Sequence, residues 1–276
     1  MTQPAPLGIL AGGGAMPRRI IRAQAASGRS CFVVAFENQA DRETAAAAPH
    51  VWVKFGDAGL IMSSLREAGV KEVVMAGRFV RPSLMDIRPD GRAAMALLRI
   101  GLGFMGDDGL LRNLAAEFER DGFQIVAIQT VLPEALAPEG CWTEAKPSEH
   151  DALDIQRGVA VASALGAVDV GQGAIVQQGL VLTVEAIEGT DAMIDRAKTL
   201  RRPGGGGVLV KLAKPGQDDR LDLPTIGPVT LRNARDAGLV GIAVEAGRSL
   251  IVDRETVIAE ANAAGLFVVG FPRIDR

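Results

Sequence analysis

Short aliphatic and β-branched runs alternate with amphipathic stretches through the first half of the chain. Residues 7–10 (LGIL), 31–36 (CFVVAF), 51–55 (VWVKF), 71–77 (KEVVMAG) and 123–129 (FQIVAIQ) read as strands. Between them, 18–28, 59–69, 92–104 and 107–123 carry apolar residues at three- and four-residue spacing and read as helices. Asp107 and Asp108 suit the positive end of the last of these helices. Such alternation predicts an α/β fold, a parallel sheet with helices on both faces.

Residues 132–151 break the rhythm with Pro, Glu and small side chains, and a domain boundary is drawn there at 135/136. Beyond it the pattern predicts a distinct mixed α/β domain over 136–276. A helix spans 150–166, and two strands, 173–179 and 180–187, pair around Gly179. A helix over 191–203 leads through four glycines into a strand ending near Leu212. Helices at 227–238 and 254–265 alternate with strands at 240–247, 248–253 and 266–270. Periodicity does not give the order of these strands in a sheet.

Composition narrows the chemistry. The chain has 276 residues, 48% hydrophobic and 23% charged, which is globular rather than disordered. A net charge of −3 supplies no field for nucleic acid. Cys31 and Cys141 make no disulfide framework, and two histidines, His50 and His150, argue against a His-rich zinc site. No basic region precedes an apolar one at the N-terminus, and no apolar run reaches spanning length, so a cytoplasmic protein is expected.

Candidate chemistry begins at Gly12, Gly13 and Gly14, between the first strand and the first helix, where a chain can present backbone N–H groups to a phosphate. Pro17 stands where the dinucleotide fingerprint has its last glycine, and Glu37 follows the second strand as a ribose candidate. Gly77 and Arg78, with Arg81, follow the fourth strand and are placed to meet a pyrophosphate. Asn113 and Gln172 are further polar candidates. In 185–193, Glu185, Glu188 and Asp191 surround Gly189 and Thr190 at a helix start. The densest acidic cluster is Asp218, Asp219 and Asp222, set among Lys211, Lys214, Gln217 and Arg220, with Pro215, Gly216, Pro224 and Gly227 excluding a regular helix. Carboxylates beside lysines suit a hard cation held against phosphate oxygens. The apolar run at 95–106 reads as a core helix or a groove for an acyl chain.

LAGGGAMP near the N-terminus, AGRFVRP at 76–82, VLPEALAPEG at 131–140, residues 164–193 and KPGQDDRLDLPTIGPVT resemble the bacterial UDP-2,3-diacylglucosamine pyrophosphatases of lipid A synthesis, the form unrelated to calcineurin-like phosphoesterases. The resemblance covers nearly the whole chain and implies a Rossmann-like N-terminal domain followed by a distinct C-terminal domain. It implies hydrolysis of that lipid-linked UDP-sugar to UMP and 2,3-diacylglucosamine 1-phosphate, dependence on Mg²⁺ or another divalent cation, a homodimer, and peripheral work at the inner face of the cytoplasmic membrane. It places the acid needed for hydrolysis at Asp222, with Asp218 and Asp219 within one or two acids of the same alignment. On this reading Asp222, Asp219 and Lys214 are catalytic, and Asp222, Glu185 and Asp191 are metal ligands. Gly12, Gly13, Gly14, Gly77, Arg78, Gln172, Glu188, Gly189, Thr190, Lys211, Gln217 and Thr225 contact substrate. Two other classes stay open from the residues themselves: a nicotinamide-dependent oxidoreductase, from the first glycine turn and Glu37, and a non-catalytic nucleotide-sugar binder.

Overall fold

The computed structural model describes residues 4–80, 89–100 and 107–274. Arg81 and residues 101–106 of the candidate acyl groove lie outside them. The chain divides into two compact units, Met1–Pro133 and Glu134–Arg276.

In the first unit β1 (Leu7–Ala11), β2 (Cys31–Phe36), β3 (His50–Val53), β4 (Glu72–Ala76) and β5 (Gln124–Ile125) form a parallel sheet of order β3-β2-β1-β4-β5. Its helices are α1 (Met16–Ala26), α2 (Arg42–Ala46), α3 (Ala58–Glu67), α4 (Gly91–Ile100), α5 (Asp107–Arg120) and α6 (Ile128–Val131). Leu7, Ile9, Leu10, Val33, Val34, Val73 and Val74 are buried on both sheet faces, which is why these strands read as continuous apolar runs rather than alternations. Pro17 sits in the first turn of α1, where its missing N–H costs no helical bond.

The expected strand at 123–129 is shorter than its pattern. It pairs only through Gln124 and Ile125, and the chain then turns into α6. An apolar run at a sheet edge serves a buried helix equally well, and here Gln24 Nε2 on α1 donates to Val131 O on α6 at 2.8 Å.

In the second unit β6 (Gly140–Cys141), α7 (Glu149–Ala167), β7 (Gly173–Gln177), β8 (Leu180–Val184), α8 (Gly189–Ala197), β9 (Val208–Lys211), β10 (Thr225–Ile226), α9 (Pro228–Asp236), β11 (Gly241–Glu245), β12 (Leu250–Ile251), α10 (Arg254–Ala264) and β13 (Phe267–Phe271) follow in turn. Six of the strands form a mixed sheet, β6-β13-β11-β9-β7-β8, and β10 and β12 form a separate parallel pair. Strands β9, β11 and β13 run parallel, while β7 and β8 are an antiparallel hairpin against β9. A capping box between Ser148 and Asp151 starts α7. Gly158 lets that helix lie close on the sheet, since a Cβ there would meet Val210 Cγ2 at 2.5 Å. The helix predicted over 191–203 starts earlier, at Gly189, and ends at Ala197 in a 3₁₀ turn, Lys198–Leu200.

Candidate functional site

In the first unit the order β3-β2-β1-β4-β5 puts the winding reversal between β1 and β4, where open α/β sheets bind ligands beyond their carboxyl ends. The glycines of 12–14 and Gly77-Arg78 leave those two strands side by side. Gly13 N–H donates to Arg78 O at 2.9 Å and Arg78 N–H to Gly13 O at 2.8 Å. Glycine is required for that approach: a Cβ on Gly12 would lie 2.5 Å from Arg78 O, and one on Gly77, whose φ is +99°, 2.7 Å from Gly13 O. The N–H groups expected to be bare are engaged. Gly12 N–H bonds Ala76 O, Gly13 N–H bonds Arg78 O, and Gly14 N–H bonds Asp41 Oδ2 at 3.1 Å. Phe36, Phe55 and Phe79 form a ring cluster here, with centroids 5.1–6.3 Å apart, and Phe79 packs beside Gly12. Glu37 is exposed after β2.

In the second unit topology gathers residues far apart in sequence. The register pairs Gly173 with Lys211 and Ala174 with Val184, so β8 delivers Glu185 to the sheet end where β9 delivers Lys211. Both side chains are nearly enclosed, 8% and 4% exposed, with Nζ 3.7 Å from Oε1. The hydroxyl of Thr190 sits between them. It donates to Glu185 Oε1 at 2.5 Å and accepts from Lys211 Nζ at 2.5 Å. Glu185 Oε2 is buried with no hydrogen-bond partner, as is Gln172 Oε1. Gly173 leaves room for that oxygen, since a Cβ would stand 2.9 Å from it. Thr190 is the second residue of α8, whose N-terminus has no side-chain cap and whose first N–H, that of Gly189, bonds Ala186 O at 3.1 Å.

The loop after β9 carries the acids. Lys214 Nζ reaches Asp169 Oδ1 at 2.6 Å, with Asp169 in the left-handed region at φ +55°. Gln217 is buried. Its Oε1 accepts from Lys214 N at 2.9 Å and its Nε2 donates to Asp222 Oδ2 at 3.3 Å. Asp218 pairs with exposed Arg220, and Asp219 with Arg248 at 2.6 Å. The hydrogen bonds Arg248 donates to Asp219 raise its pKa against the opposing effect of burial, and the negative charges of Asp219 and Glu245 add to the rise. Asp191 accepts from Asn233 at 2.9 Å, joining α8 to α9, and Glu188 pairs with Arg196 on the exposed side of α8. Thr225 donates to Leu223 O at 3.0 Å.

The structure therefore brings Glu185, Thr190 and Lys211 into contact, and links Lys214, Gln217 and Asp222 through one amide. Among the described residues no three His, Cys, Asp or Glu side chains form a cluster able to hold a metal ion, so Asp222, Glu185 and Asp191 do not make a protein cage. Sequence reasoning passed over Asp169, Glu245 and Arg248. Asp169 lies in an ordinary helix-to-strand turn, Glu245 at a strand end and Arg248 in a turn, and nothing local marks them.

Residues 6–135 match the LpxI N-terminal domain and residues 138–269 the LpxI C-terminal domain. The chain is 42% identical over 271 residues, 96% of each chain, to a protein of Caulobacter vibrioides described as UDP-2,3-diacylglucosamine pyrophosphatase LpxI. With both domains matched and that relation running end to end, the chain belongs to the LpxI family.

Proposed function

We propose that this chain hydrolyses UDP-2,3-diacylglucosamine to UMP and 2,3-diacylglucosamine 1-phosphate, a step of lipid A biosynthesis. One observation carries the reaction: 42% identity over 96% of both chains with a relative named for that activity. Water adds to the sugar-linked phosphorus, the bond from that phosphorus to the bridging oxygen breaks, and the oxygen leaves with UMP.

The second unit holds groups suited to this work. Lys211 and Lys214 are ammonium groups in nearly closed surroundings, where attraction to phosphate oxygens is stronger than in water. Thr190 and the uncapped start of α8 add neutral donors. Asp222, fixed by Gln217, is the acid assigned to orient the water or to bind the cation. Mg²⁺ takes one or two carboxylates and leaves its other positions to water and phosphate. Asp222 and Glu185, the latter with an unpartnered oxygen, are donors of that kind, whereas Asp191 is engaged with Asn233. When bound, the cation neutralises charge on the diphosphate.

Gly12–Gly14, Gly77 and Arg78 in the first unit are the proposed nucleotide contacts, with the Phe79 ring beside Gly12. No helix among the described residues is long and apolar enough to cross a membrane. Ile187, fully exposed two residues after Glu185, is the apolar side chain we assign to a lipid chain, and a homodimer working at the membrane's inner face is part of the same proposal.

The test is incubation with UDP-2,3-diacylglucosamine, with and without EDTA, and separation of products on a thin-layer plate. UMP and the sugar 1-phosphate are expected only without EDTA. Asp222→Ala should bind substrate without turning it over. Near-normal hydrolysis by that variant removes Asp222 from the chemistry, and tight binding without product across Mg²⁺, Mn²⁺ and Co²⁺ selects a binding protein instead.

A further inference from the structure

We infer that Arg248, with Glu245 behind it, is the positioning residue of the acidic loop, and that Asp219 is the loop's tether rather than a reacting acid. This rests on the proposed hydrolysis. The loop between Leu212 and Pro224 has no regular structure to hold it except short turns, yet it carries Lys214, Gln217 and Asp222. Its ends are fixed: Leu212 N–H donates to Gln172 O and Leu250 N–H to Pro224 O. Its middle is held by side chains.

Arg248 Nε lies 3.2 and 3.1 Å from the two Asp219 oxygens and Nη2 2.6 Å from Oδ1, a forked contact that fixes direction as well as distance. Only 9% of Arg248 is exposed, while the Asp219 side chain is 36% exposed, so the arginine is the fixed end of the pair. Its backbone is immobilised on both sides. Gly247 N–H bonds Ala137 O, Ala137 N–H bonds Ser249 O, and Leu250 enters β12. Glu245, wholly buried at the end of β11, receives Ala213 N–H at 3.2 Å through Oε2 and Ile274 N–H at 3.2 Å through Oε1. It thus grips the loop's first turn and adds to the field on Arg248. Asp222, by contrast, three residues beyond Asp219 in the same loop, accepts from Gln217 Nε2 at 3.3 Å.

A displacement of about 1 Å in a catalytic group costs on the order of 100-fold in rate. Releasing the tether should therefore lower kcat/KM for UDP-2,3-diacylglucosamine by roughly 10- to 100-fold. Asp219→Ala, Arg248→Ala and the double variant are compared with Asp222→Ala. Both single variants are expected to fall by similar factors and the double to fall no further, because either change cuts the same link. Arg248→Lys should recover part of the loss, and added guanidinium ion, but not an equal concentration of sodium chloride, should restore Arg248→Ala. Amide exchange over 213–222 should quicken in both single variants.

The inference is overturned if Asp219→Ala is as inactive as Asp222→Ala while Arg248→Ala stays near wild type, or if exchange over 213–222 is unchanged. Should the wild-type protein turn over no substrate, the proposed hydrolysis fails. Quickened exchange would then still establish the tether, and unchanged exchange would reject it.

Discussion

Replacing Lys211 with methionine keeps most of the side-chain volume and removes one charge from an enclosed pair. The two side chains are 4% and 8% exposed, so the small values measured for surface ion pairs do not apply. At 3.7 Å and an effective dielectric constant of about 20, their attraction is roughly 4–5 kcal/mol. Breaking a buried pair by removing one partner costs about 3–5 kcal/mol, which agrees. Glu185 makes the upper half of that range reasonable, because Oε2 already lacks a partner and Oε1 would keep only the Thr190 hydroxyl. Trp142 lies in the second unit and Trp52 in the first, so urea unfolding followed by fluorescence in a Trp52→Phe background reads the second unit. Lys211→Met should lose about 3–5 kcal/mol there, and Lys211→Met/Glu185→Gln should regain at least half, since no lone charge remains buried. A loss under about 1 kcal/mol, or a double variant no more stable than Lys211→Met, would refute the account of this cluster as an energetically coupled buried pair.

Gly77→Ala should cost at least 2 kcal/mol in the first unit, because φ +99° and a contact of 2.7 Å with Gly13 O both oppose a Cβ, whereas Gly14→Ala, at φ +93° in open space, should cost only about 1–2 kcal/mol; urea unfolding followed by Trp52 separates them. Burial pushes the Cys31 thiol from 9.0 up to about 11, with Arg29 pulling weakly the other way. A group neutral in the fold and raised in this way contributes stability that is fully present below pH 9 and lost as pH rises toward 11. The first unit should therefore weaken across that window, and Cys31→Ala should flatten the slope even though its cavity lowers stability at every pH; identical slopes would contradict this.

The first unit's parallel sheet was legible because buried parallel strands write themselves as unbroken apolar runs. LGIL, CFVVAF and EVVMA need no partner to be recognised. The strand expected at 123–129 shows the limit, because the same apolar residues serve a two-residue edge strand and then a helix. In the second unit the elements were readable and the sheet order was not. Strand pairing is decided by which faces bury together, and nothing in 180–187 states that β8 will lie at one edge, next to β7 and not β9.

The site divides the same way. Gly12, Gly77, Thr190 and the Lys211–Asp222 cluster announce themselves by residue type and local spacing, which the chain alone determines. Tertiary structure decided who meets whom. It set Thr190 between Glu185 and Lys211, gave Lys214 to Asp169, and gave Asp219 to Arg248, a residue 29 positions away. It also engaged the expected bare N–H groups: those of Gly12 and Gly13 bond carbonyls at the end of the neighbouring strand, and that of Gly14 bonds the Asp41 carboxylate. A charge's chemistry depends on its partners and its solvent, and both are fixed only when distant segments close around it.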